Sequence, residues 1–146
     1  MPTKNKLKEF KPKKELEEYI DAYWFFKNDT GEMINWPVVP DGCSDIIFYL
    51  DGSKKLEGID DTFVAGIMDH AELVPIQNGM RLFGVRFNPA MLYYLLKTDM
   101  KKLANDMREL REINNEIFQN LKIDGSAEEQ FIIANIEKQL EKLFFK

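Results

Sequence analysis

Hydrophobic residues change their spacing twice along this chain. After Pro12, which suits the first position of a short helix, Leu16, Tyr19, Ile20, Tyr23 and Trp24 fall three or four apart and form one helical face. Around residues 23–27 the aromatic content favours extended pairing, so the helix is expected to give way to a strand there. Asn28, Asp29, Thr30 and Gly31 form a turn by composition. Residues 33–39 read as extended, with Trp36 before Pro37, and Pro40, Asp41 and Gly42 signal another turn. Residues 45–50 (DIIFYL) have the length and apolar content of a buried strand. Residues 63–68, 72–76 and 80–87 are three more strands, the last two separated by Gln77, Asn78 and Gly79, whose Asn-Gly step is a hairpin cue.

The second change comes at Asn88-Pro89, a cap and first-position pair for a helix that carries Leu92, Leu95 and Leu96 on one face. Asp106 with Glu109 resembles the cap of a further short helix, continued at helical spacing by Ile113, Ile117 and Leu121. Asp124-Gly125 breaks the chain. Ser126 with Glu129 predicts the start of a final helix over 126–145, striped by Ile132, Ile136, Leu140 and Leu143. Phe144 and Phe145 are unusual so near a chain end and call for a partner surface, either further chain or a second copy. Strands followed by helices define the α+β class. Three segments result: a basic, solvated lead-in over 1–11, a main domain over 12–110, and a helical linker or dimerisation segment over 111–146.

Composition narrows the function more than the fold. At 146 residues the chain makes one domain, large enough to bury a core without a disulfide or metal. No apolar run reaches the roughly 18–20 residues of a membrane helix. Net charge is −5, which opposes nucleic-acid binding by this chain itself. Lys4, Lys6, Lys8, Lys11, Lys13 and Lys14 face only Glu9 in the first 14 residues, so the rest is the acidic part. The N-terminus lacks a secretory apolar core, and a lone cysteine suits a reducing cytoplasm.

The single histidine, His70, removes any site that needs two imidazoles, and the single cysteine, Cys43, cannot pair internally. No nucleophile elbow, phosphate loop or zinc helix is present, so no catalytic residue, metal or cofactor is assigned. His70 reads as a surface residue in a turn, and Cys43 as a small half-buried residue entering a strand. Asp45 and Arg86 stand out. Asp45 opens an apolar strand. Arg86 shares a strand face with Leu82 and Gly84, while Phe83, Val85 and Phe87 make the opposite, core face. A charge in such a wall is ion-paired, solvated or turned to a ligand. Among the many aromatics, Trp24 and Trp36 are candidates to floor or lid a pocket.

The order of these motifs resembles the N-terminal sensor domain of AraC-type bacterial transcription regulators. The likeness rests on Tyr23-Trp24, on Val39-Pro40-Asp41-Gly42-Cys43-Ser44-Asp45-Ile46-Ile47-Phe48, on Gly66, and on Phe83-Gly84-Val85-Arg86-Phe87-Asn88-Pro89-Ala90. It covers about residues 12–110. The resemblance implies a small cupin-like β-barrel or curled antiparallel sheet, with an N-terminal helix and C-terminal helices. It also implies a helix-turn-helix DNA reader downstream, which the acidic residues after Leu110 cannot supply. The family block ends in Pro-Gly where this chain has Pro89-Ala90, and alanine is a good helix former.

The leading expectation is therefore a ligand-sensing and dimerising domain, not an enzyme. An unidentified small-molecule effector would meet Trp24, Trp36, Cys43, Asp45 and Arg86, a homodimer would form, and DNA would be reached only through the missing module. The alternatives are a small metal-independent enzyme, an isomerase or lyase using Asp45 as base and Arg86 as anion holder, and a ligand-free dimerisation module.

Overall fold

The computed structural model describes residues 7–145. Its longest strand is β2 (Ile20–Lys27), which carries buried aromatic residues on both faces. β2 pairs with β1 (Leu7–Phe10) on one side and β7 (Arg81–Phe87) on the other. Beyond β7 come β4 (Ser44–Tyr49), β5 (Phe63–Ala65) and β8 (Met107–Glu109), giving a six-stranded antiparallel sheet in the order β1-β2-β7-β4-β5-β8. The sheet does not close, since β1 and β8 remain its two edges among the described residues. A separate two-stranded ribbon pairs β3 (Ile34–Val38) with β6 (Glu72–Ile76). The class is α+β and the curled antiparallel sheet is the form taken.

Period-two alternation sorts the side chains into two cores. Tyr23, Phe25, Ile46, Phe48, Phe83, Val85 and Phe87 line one face, with buried residues of the helices in the same cluster. The helices are α1 (Met91–Leu96), α2 (Met100–Leu103), α3 (Leu110–Ile113), α4 (Asn115–Asn120) and α5 (Glu129–Phe144). Phe26, Ile47, Phe63 and Leu82 line the other face, covered by Ile34, Trp36, Val74 and Ile76 of the ribbon.

Helix α5 is an integral layer. Its stripe Ile132, Ile136 and Leu140 is buried, and Glu137 Oε2 accepts from the Tyr23 hydroxyl at 2.9 Å and the Lys13 N–H at 3.0 Å. Lys13 Nζ also pairs with Glu141. Phe144 stacks on Tyr19 with ring centroids 4.3 Å apart, so the surface that it calls for lies within its own domain. Phe145 meets the Tyr19 ring edge-on and stays half exposed.

Several local expectations give way to long-range pairing. The helix after Pro12 shrinks to one 3-10 turn, Lys14–Leu16, because the segment from Ile20 onward is recruited as the strand between β1 and β7. A register shift between Ile20 and Ala22 inserts Asp21 as a bulge. Within the lead-in, Leu7–Phe10 is edge strand β1 rather than a free arm, and residues 1–6 lie outside the described part. The Asn78-Gly79 step makes no hairpin, since β6 and β7 belong to different sheets. Gly79, at φ 91°, donates its N–H to Asn28 O at 2.7 Å and hands the chain from ribbon to sheet.

Three predicted helix starts also move. Asn88 does not cap α1, because its side-chain amide donates to the carbonyls of Glu17 and Glu18 at 2.8 and 2.9 Å. Ala90 takes the N-cap position at φ 71°. Asp106 precedes β8, not a helix, and Asn114 caps α4 instead, accepting from Ile117 N at 3.0 Å. Ser126 donates its hydroxyl to Asp124 Oδ1 at 2.6 Å, and α5 starts at Glu129 without a side-chain cap.

Candidate functional site

On the ribbon side of the sheet, Phe26, Ile47, Phe63 and Leu82 form the apolar end of the face. The other end carries Trp24, Asp45 and Arg86, brought together by strand register. Asp45 on β4 lies directly opposite Arg86 on β7, and Arg86 lies opposite Ala22 on β2. One row away, Glu9 on β1, Trp24 on β2 and Gly84 on β7 stand side by side.

Trp24 lies across Gly84. A Cβ built on that glycine would sit 2.0 Å from Trp24 Cε2, so only glycine leaves room for the indole. The ring is fixed at its far edge, where Nε1 donates to Asp45 Oδ2 at 2.8 Å. Burial raises the Asp45 carboxyl to about 7. The Trp24 N–H and the Arg86 charge pull it down, while Asp41 and Asp21 push it further up. A carboxyl of this kind exchanges its proton near neutral pH.

Arg86 turns away from Asp45. Its Nε donates to Asp21 Oδ2 at 2.8 Å, and Nη1 and Nη2 donate to Glu9 Oε1 at 3.0 and 3.1 Å. Burial opposes the guanidinium charge, and the bonds to Asp21 and Glu9 overcome it and hold the group firmly protonated. The ion-paired reading of Arg86 is the one realised, with two partners that sequence reasoning missed. Glu9 sits in a lysine-rich stretch that looks solvated. Asp21 reaches this face only through the bulge, which no local pattern announces. Gly84 did carry a signal, since a glycine inside a strand marks a close approach.

Cys43 lies at the rim, half-buried, with its N–H donating to Asp41 Oδ1 at 2.9 Å. Burial first, then Asp41 and Asp21, push its thiol to about 11, which makes it a poor nucleophile at neutral pH. Trp36 stands apart from this group. It packs edge-on against Phe26 at 4.6 Å, as part of the apolar filling between ribbon and sheet. Four of the five candidates thus share one end of the sheet, and Trp36 belongs to the adjoining core, against which Trp24 also packs.

Two surface clefts flank Asp51 elsewhere. One of 370 Å³ runs between the chain after β4 and Lys122–Ile123, and one of 230 Å³ runs beneath Gly125–Ala127. Neither is lined by any of the five candidates. Among the described residues no group of three or more His, Cys, Asp or Glu side chains is placed to hold a metal ion. No helix of that part is long and apolar enough to cross a membrane.

An open six-stranded antiparallel sheet between a helical layer and a two-stranded ribbon, with a tryptophan-bound carboxyl on its ribbon side, defines an α+β domain with two cores. The chain belongs to the family described as Domain of unknown function (DUF6597), whose model matches residues 8–109. The matched segment begins in β1 and ends with β8, so α3, α4 and α5 follow it. No curated protein and no solved structure matches the chain.

Proposed function

We propose that this chain is the ligand-sensing domain of an AraC-type transcription regulator, with Trp24 and Asp45 facing the effector and the DNA reader supplied by further chain. One observation carries the reading. The two motif blocks that bear the resemblance run on neighbouring strands and meet at Asp45 and Arg86, so they form one place in the fold. Trp24, Cys43 and Asp45 lie there together. Effector binding would act by favouring one of two arrangements of the attached module. Because Ile132, Ile136 and Leu140 of α5 are spent on their own sheet, that stripe is not the contact for a second copy.

The test is a thermal-shift screen of metabolites against wild type and Trp24→Phe. A ligand that raises the melting temperature of wild type alone supports the site, and equal shifts in both proteins remove it. Two helix-turn-helix units encoded directly after Lys146 would support the regulator class, and a stop codon there would remove it.

A second reading has one observation in its favour. A carboxyl that exchanges its proton near pH 7 suits a general base, as a metal-independent isomerase or lyase requires. Turnover that is abolished in Asp45→Asn would favour it over sensing.

A further inference from the structure

Arg86 stands between two sets of carboxylates on one sheet face. Towards β2 and β1 are Asp21 and Glu9, which hold it now. Towards β4 is Asp45, its directly opposed neighbour. Opposed residues in an antiparallel pair lie about 4.5–5.5 Å apart at Cβ, well within the reach of an arginine. Ala22, the opposite neighbour on β2, is small, which lets the Arg86 side chain cross β2 to reach Glu9. Only one oxygen of Asp45 is taken by Trp24.

We propose that Arg86 is a two-position clamp, fastening edge strand β1 when it holds Glu9 and Asp21 and releasing that strand when an ionised Asp45 draws it across. The arrangement described here is the fastened one. It ties β1 to the third strand of the sheet, across β2, through a contact between residues 77 apart in sequence. The groups that face Asp45 are Trp24 on β2, Asp21 at the bulge, Asp41 and Cys43 before β4, and Arg86 on β7. Of these only Arg86 carries positive charge, so loss of the Asp45 proton adds a negative group that Arg86 alone can answer. The exchange falls near neutral pH, where burial has moved the carboxyl. The device needs no effector and stands apart from the regulator reading.

Hydrogen exchange of the full chain at about pH 5.5 and about pH 8.5, corrected for intrinsic rates, tests this. The amides of residues 7–10 should lose about two- to fivefold protection at the higher pH, the range of one half-exposed ion pair. In Asp45→Asn they should stay protected at both values. In Glu9→Gln, a surface change that leaves the core intact, they should be weakly protected at both. Wild-type protection that does not change with pH overturns the clamp. So does the wild-type pH dependence persisting in either variant.

Discussion

Trp24 occupies the space that a side chain at position 84 would need, with its ring 2.0 Å from where a Cβ would stand. Gly84→Ala should therefore push the indole off the sheet and off Asp45. The expected loss is about 1–3 kcal/mol, the usual penalty of overpacking. In a Trp24→Ala background the same change should cost far less. Urea denaturation of the four proteins of that cycle checks this, and equal costs in both backgrounds would show that ring and glycine are not coupled.

The Asp45 carboxyl is raised from the model-compound value of 3.8 to about 7. The folded chain thus holds this proton more tightly than the unfolded chain does. That stabilisation is complete below about pH 4 and is lost as pH rises through about 7. At roughly 1.4 kcal/mol per unit the ceiling is about 4 kcal/mol, and partial exposure to solvent brings the expectation to about 1–2 kcal/mol. Asp45→Asn should remove this slope between pH 4 and 8 and be the more stable protein at pH 8, as read by thermal denaturation across pH.

Ala90 sits at φ 71°, a left-handed conformation that disfavours a Cβ. A glycine would take this backbone conformation without that cost. Alanine's merit as a helix former is irrelevant at a position just outside the helix. Ala90→Gly should raise stability by about 1 kcal/mol, visible as a higher melting temperature. Ala90→Val should lower it.

Tyr23 is fully buried, and its hydroxyl donates to the Glu137 carboxylate on α5. Tyr23→Phe leaves the packing against Phe83 in place and removes that donor. It should cost about 1.5–3 kcal/mol in chemical denaturation, the range for a bond to a charged group. A neutral result would mean that the Lys13 N–H and side chain hold Glu137 and Glu141 on their own.

What was legible in the chain was periodicity, because burial imposes it directly. Phe83, Val85 and Phe87 alternate with Leu82, Gly84 and Arg86, and the strand with its two faces follows from that alone. The final helix was equally clear from Ile132, Ile136 and Leu140. Partner choice was not legible. Asn78-Gly79 has hairpin chemistry, yet β6 found β3 and β7 found β2, since the exposed ribbon and the central strand satisfy different layers. Ile20 fits a helix face as well as a strand, and only its pairing with Phe87 decides. At the candidate site, Asp45, Trp24 and Arg86 were visible as odd residues in apolar company. Glu9 was hidden among lysines, because nothing within its own neighbourhood points to a guanidinium 77 residues away.

The irregularity at Asp21 gives one strand two loyalties. Without the added residue, strict alternation would aim Asp21 at the aromatic layer beside Tyr23 and swing Ile20 toward the charged rim. The half-step lets an isoleucine enter the oily side and an aspartate the ionic side at successive positions. Deleting Asp21 would restore plain alternation with Ile20 still opposite Phe87, and would take from the Arg86 guanidinium one of its two carboxylates.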